Sequence, residues 1–344
     1  MAVTPYTYEI KNTMKERLDY IDITKGLGII LVVLSHTVCE ELMFYTSAFF
    51  VPVFFFCAGY TSSKKNVSLK DNFARHAVKL FKPYLFFNLL LILYFHDFSL
   101  RAILGICYSR YCLYPFGTGS DICRLFVIGN YPIWFLTCMI VAYLLYDIIM
   151  YHPRYRYYTI SLYLVITAAM ESLPILLPWS LDTAFLMALV MYAGTAFRQY
   201  FPDCFAQKTP APVALLAVVV YLLLLPLCHD INISVRMYGP SMIVYFLAAV
   251  TGSVLLVSLS RFIQGSFIGR GLQSVGRHSL TIFCIEIPFI ILGKQLAVNM
   301  LDNTLPEQYT LVATAIIQTI IAIAGGYLLS LLLHHNKRIE RIIF

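Results

Sequence analysis

The chain has 344 residues, 60% of them apolar and 12% charged, with a formal net charge of +7 and a mean hydropathy of +0.75. A soluble domain carries about 45–50% apolar and about 25% charged residues, so this chain has too little polar surface to cover a water-soluble globule. The same numbers exclude disorder, collagen and coiled coil, and the modest charge suggests no nucleic-acid partner.

Apolar runs of about 18–25 residues recur along the chain, where barrel strands would alternate over about 10. The pattern predicts an all-α polytopic protein of about ten transmembrane helices. The first twenty residues (MAVTPYTYEIKNTMKERLDY) lack an apolar core, so no cleavable signal is expected. The spans fall at about 24–44, 46–62, 81–96, 132–150, 157–174, 181–197, 211–228, 240–260, 279–297 and 309–333. The third is short for a bilayer, and almost no loop separates the first two.

The longest external segment is expected at about 97–131, with apolar stretches able to re-enter the membrane surface. Spans and short loops consume the chain. Residues 1–344 therefore read as a single integral-membrane domain with no fused soluble domain, and any chemistry belongs to the bundle. On this layout only Arg101, Arg110, Arg124, Arg236 and Lys294 of the 25 Lys and Arg residues lie on one side. The other side collects the rest, which predicts cytoplasmic termini.

The nine cysteines show no metal-ligand spacing, and no metal is expected. Most sit singly in apolar runs as small fillers. Cys107, Cys112 and Cys123 share the long loop, where one pair could form in an oxidising compartment.

The first span carries the densest chemistry. Ionisable residues inside a membrane helix are costly and mark functional sites by default. Lys25 and His36 are eleven residues apart, which brings them to within roughly 20° of one helix face, roughly 16 Å apart along the axis. Asp22 and Glu40 share that stripe. Glu40 could orient His36 as a general base, or the two could be a hydrogen-bonded pair that fixes packing. Asp147, Glu171 and Asp182 lie near span ends and read as interfacial. Glu286 is seven residues into the ninth span and reads as a cavity residue.

These residues carry a resemblance. Asp22, Lys25 and His36 in DITKGLGIILVVLSH resemble the opening of acyltransferase family 3, in which a basic residue precedes the family's histidine at this spacing. FFVPVFFFCAGYTSS (49–63) is similar to that family's next span, with Ala58 where Ser is usual. FARHAVKLFKPYL (73–85) is similar to its basic cytoplasmic loop, with Lys79 and Lys82 where an Arg-x-x-Arg pair is common. YPIWFL (131–136), MYAGTAFRQY (191–200) and VGRHSLTIFCIE (275–286) are similar to later segments, the last ending in Glu286 where His is common. Lysine keeps the charge at these positions but not the bidentate geometry of arginine toward phosphate.

The resemblance implies an O-acyltransferase that moves an acyl group, most simply acetyl, from acetyl-CoA to a hydroxyl of a sugar, glycolipid or envelope polysaccharide. It implies a multi-pass protein of the bacterial inner membrane. Cytoplasmic CoA needs cations on the inner side, and Lys25, Arg75, Lys79 and Lys82 stand there with Asp22, although such cations also serve topology alone. His36 would act as general base supported by Glu40, by direct transfer or through an acyl-histidine. Trp134 and Glu286 are candidates for the acceptor side, Trp134 equally fitting an interfacial belt. The expected partners are acyl-CoA, a carbohydrate or glycolipid acceptor and the lipid bilayer. A rival reading is a multi-pass transporter or flippase with a proton relay. No internal repeat supports it, and the polar residues crowd one helix.

Overall fold

The structure is a computed structural model that describes residues 17–37, 44–62, 68–110, 112–115, 131–202, 211–301 and 306–344. In chain order the helices are α1 (Asp19–Ser35), α2 (Pro52–Thr61), α3 (Leu69–Phe95), α4 (Leu100–Tyr108), α5 (Trp134–Tyr151), α6 (Arg156–Glu171) and α7 (Leu181–Tyr200). They continue with α8 (Ala211–Leu224), α9 (Met242–Ile263), α10 (Phe267–Arg277), α11 (Ser279–Leu301), α12 (Glu307–His335) and α13 (Lys337–Ile343). A small antiparallel hairpin joins α8 to α9. In it β1 (Ile231–Asn232) pairs with β2 (Met237–Tyr238), Ile231 opposite Tyr238.

Each of the ten expected spans falls on a helix. Among the described residues, six stretches are long and apolar enough to cross a bilayer: Leu69–Phe95, Trp134–Tyr151, Pro178–Tyr200, Met242–Ile263, Ser279–Leu301 and Tyr309–His335. The helices α1, α2, α6 and α8 are shorter. Leucines and isoleucines such as Leu89, Leu93, Leu215, Leu222, Ile316 and Ile320 stand exposed on α3, α8 and α12. So much outward apolar surface suits a hydrocarbon solvent. The protein is an all-α membrane protein.

The third expected span is longer than its apolar run. It belongs to the 27-residue α3, so the basic segment before it is helix and not loop. Ser68 starts that helix: its Oγ accepts the backbone N–H of Asp71 at 3.1 Å. Asp71 also places a negative charge in the first turn, where the helix dipole favours it. Pro83 lies inside α3, where it lacks the N–H that would reach the carbonyl four residues back.

The helices are held by close crossings. α2 packs on α7, α11 along α12, and α5 on both α3 and α7. The α1–α10 crossing is tightest at Gly26 and Gly276. A Cβ on Gly26 would collide with the Leu272 carbonyl, and one on Gly276 with the Asp22 carbonyl. Only glycine lets the two backbones approach so nearly. Ile29, Val33, Phe55, Phe56, Phe87, Tyr146 and Tyr245 fill the core.

Two acids expected at the interface are buried instead. Asp182 has no exposed surface and pairs with Arg110 through Oδ1 and with Arg236 through Oδ2, the latter at 3.0 Å. Both guanidinium groups are buried too. They also donate to backbone carbonyls, Arg110 to Leu177 at 3.2 Å and Arg236 to Ile175 at 3.0 Å. Asp147 is 7% exposed and accepts from the Asn72 side-chain amide at 2.8 Å. In each case burial of the carboxyl group is tolerated because a donor from a distant helix or loop meets it. Glu171 is exposed, as its position at the end of α6 predicts. Cys107 and Cys112 are free thiols and do not pair with each other, and Cys123 lies outside the described residues.

Candidate active site

A cavity of about 480 Å³ opens between α1, α2, α3, α5 and α11. Its charged wall is made by Lys25 of α1 with Arg75 and Lys79 of α3. Arg75 and Lys79 are four residues apart and therefore share one face of α3. Lys25 joins them from the other side because the α1–α10 crossing fixes where α1 enters the bundle. Three cations converge on one space, and among the described residues no carboxylate lines it. Thr61, Ser62 and Asn72 add neutral hydrogen-bonding groups. Such a wall is built for an anion carrying several negative charges.

The opposite wall is aromatic. Phe54 of α2, Phe135 of α5 and Phe283 of α11 all line the cavity. The Phe54 and Phe135 ring centroids are 5.7 Å apart, and those of Phe135 and Phe283 are 4.9 Å apart. An apolar, flexible chain would find burial here after its charged end had met the cations.

One helical turn beyond Phe283 on α11 is Glu286, the second polar feature of the region. Its side chain has no exposed surface, and its Oε1 lies 2.9 Å from Nδ1 of His36. His36 caps the C-terminal end of α1 and keeps 28% of its side chain exposed. The contact is an ion-pair approach off the axis of a good hydrogen bond. Neither Glu286 oxygen therefore has an aligned donor among the described residues. A buried carboxylate in that condition is held in place by the fold at a cost, which is common where charge is needed for chemistry.

The structure thus separates the residues that the first helix aligned. Lys25 is part of the cavity lining, whereas His36 is not and stands beside Glu286, one turn along α11 from the lining residue Phe283. Asp22 does not line the cavity. It is buried, and its Oδ2 lies 2.5 Å from Nε of Arg17 and 3.4 Å from Nε of Arg277, so it ties α1 to α10. Lys82 also turns away. Its Nζ donates to the Arg341 carbonyl of α13 at 2.8 Å. Trp134 is buried at the start of α5, edge-on to Phe135 at 6.5 Å, one residue from the cavity lining but not part of it. Glu40 lies outside the described residues.

Residues 18–335 match the family model described as the acyltransferase domain of acyltransferase family 3. The chain belongs to that family. No curated protein and no solved structure matches it. The match takes in every helix of this acyltransferase from α1 to α12 and leaves α13 beyond its end.

Among the polar residues of the acyltransferase cavity, sequence reasoning missed Asn72, His76 and Tyr143, and it misplaced Asp147. The first three line the cavity, and Asp147 stands behind Asn72. His76 and Tyr143 stack face to face, with centroids 4.0 Å apart and planes 10° apart. The available signal was on α3, where Asn72, Arg75, His76 and Lys79 follow the 3–4 spacing of one helix face. Their partners on α5 could not be read from any local spacing.

Proposed function

We propose that this acyltransferase moves an acyl group, acetyl most simply, from cytoplasmic acyl-CoA to a hydroxyl of a sugar, glycolipid or envelope polysaccharide. The observation that carries the reading is a cavity with cations and aromatic rings in its lining, and a histidine–carboxylate pair beyond that lining, reached one turn along α11 from Phe283. CoA carries phosphates, a flexible pantetheine arm and a thioester. Lys25, Arg75 and Lys79 would hold the phosphates, with Lys82 outside that set while its Nζ binds Arg341.

In this mechanism a small rotation of the His36 ring, whose Nδ1 is already 2.9 Å from Glu286 Oε1, aligns Nδ1–H with the carboxylate and leaves the lone pair on Nε2. Nε2 takes the proton from the acceptor hydroxyl as its oxygen attacks the thioester carbonyl. The tetrahedral intermediate then expels CoA as thiolate, which recovers the proton from the imidazolium. Glu286 stabilises that imidazolium, the role earlier assigned to Glu40. An acyl-histidine route would use the same atoms in two displacements. Ten membrane-embedded helices with cytoplasmic termini, in a bacterial inner membrane, complete the reading. Its support is the four-to-one division of Lys and Arg between the two sides. The match to the acyltransferase family over residues 18–335 favours this reading over a transporter.

The test uses membranes containing the protein, supplied with acetyl-labelled acetyl-CoA. Label should enter sugar-containing material with the wild type and vanish with His36→Ala at matched, folded expression. Robust labelling by both would remove His36 from the mechanism.

A further inference from the structure

We propose that Asn72 and Asp147 are positioning residues for the acyl donor: Asp147 fixes the Asn72 amide, whose oxygen then holds the Arg75 guanidinium toward the donor's phosphates. The proposal rests on the reading of the cavity as a CoA site. Asn72 Nδ2 donates to Asp147 Oδ2 at 2.8 Å, and Arg75 Nη2 donates to Asn72 Oδ1 at 3.2 Å. The chain of bonds has a direction. An ionised carboxylate only accepts, so the amide must turn its nitrogen to Asp147 and its oxygen to Arg75.

The neutral spacer matters as much as the bonds. Asn72 and Arg75 line the cavity, whereas Asp147 lies behind them. A carboxylate directly on Arg75 would neutralise the charge that phosphate needs, and one exposed to the cavity would repel the donor. Relayed through an amide, the acid orients the guanidinium while leaving it free to take an anion. A second rung stiffens the first. His76 is one turn along α3 from Asn72, Tyr143 is one turn back along α5 from Asp147, and the two rings stack. The pair of rungs ties α3 to α5 along the cavity wall; outer groups that orient metal ligands alter affinity about 10- to 100-fold, and a loss at the lower end of that range is expected here.

The experiment is equilibrium binding of CoA itself to the purified, detergent-solubilised protein, so no acceptor is required. Asn72→Ala should weaken CoA binding about tenfold. Arg75→Ala should weaken it at least as much, and the double variant should bind no worse than Arg75→Ala alone, because Asn72 acts only through Arg75. Asp147→Asn, which keeps an acceptor oxygen, should bind CoA more tightly than Asp147→Leu. With pantetheine, which lacks the phosphates, the difference between wild type and Asn72→Ala should close.

Wild-type affinity in Asn72→Ala, or additive losses in the double variant, would overturn the relay while leaving the donor site standing. Wild-type affinity in Arg75→Ala, Lys25→Ala and Lys79→Ala together would instead overturn the donor site itself. Should Asp147→Leu fail to fold, the Asn72 and Arg75 cycle decides the matter without it.

Discussion

His36 Nδ1 and Glu286 Oε1 lie 2.9 Å apart, although one residue ends the first helix and the other sits inside α11. The contact joins the first helix of the matched domain to α11, at a point where a buried carboxylate meets a partly exposed imidazole. The ring keeps 28% of its side chain exposed, and the buried acid stands at ion-pair distance from Nδ1.

Glu286→Gln keeps the shape of the side chain and removes its charge. The expected result is a loss of about 10- to 100-fold in turnover, with little change in the KM for acyl-CoA, because the imidazolium forms only during transfer. His36→Ala should cost more, about 10²- to 10⁴-fold. Steady-state rates at varied acyl-CoA check both.

Lys25→Ala removes one of three cavity cations. A hydrogen bond to a charged group is worth about 1.5–3 kcal/mol, so the KM for acyl-CoA should rise roughly tenfold or more at nearly constant kcat. The rise should shrink at high salt if residual phosphate binding is screened. Initial rates at two ionic strengths decide this.

Asp182→Ala would leave Arg110 and Arg236 buried with their shared acid gone. Breaking a buried ion pair this way costs about 3–5 kcal/mol. A marked fall in thermal stability in detergent is expected, with the donor affinity of the surviving folded protein unchanged. Binding of CoA below the melting transition separates the two effects.

Gly276→Ala puts a methyl group into the backbone carbonyl of Asp22. The α1–α10 crossing must open, at a cost of about 1–3 kcal/mol. Because α1 carries both Lys25 and His36, CoA affinity and transfer should fall together. Gly271→Ala, which meets nothing nearby, is the matched control for stability.

His278 joins α10 to α11 and accepts or shares a hydrogen bond with Ser330 at 2.8 Å. Burial holds its ionisation below the ordinary value of 6.5, and His334, Arg17 and Arg277 push the same way. A histidine with a folded pKa under its unfolded one binds fewer protons when folded. Its contribution is therefore complete above about pH 6.5 and is lost as pH falls below it. Melting curves from pH 7.5 to 5 should show a decline that His278→Gln lessens.

The helices and their chemistry were legible because helical information is local. Periodic apolar runs located ten helices, and the eleven-residue spacing put Lys25 and His36 on one stripe. Arg75 and Lys79 were read in a basic loop, and it is the helical course of α3 that gives them a shared face on the cavity. What failed to show was pairing between helices. Asp147 looked interfacial because its partner Asn72 is on α3, and Asp182 because its arginines come from two separate loops. Asp22 looked like part of the donor site until α10 supplied Arg277 to meet it. The length of α3 was hidden by its polar first half, whose helix depends on the Ser68 cap rather than on apolar periodicity.

Composition and periodicity alone thus determined a helical membrane protein with a histidine-bearing first helix and the motifs of its family. The tertiary structure alone brought Glu286 of α11 to His36, and decided which cations share a cavity and which charges are consumed in holding helices together. The reason is physical. Spacing along a helix fixes a direction around its own axis, but whether that direction faces solvent, lipid or a partner depends on where other helices cross it. Those crossings are set by close backbone contacts such as Gly26 with α10, and by packing that no single segment contains.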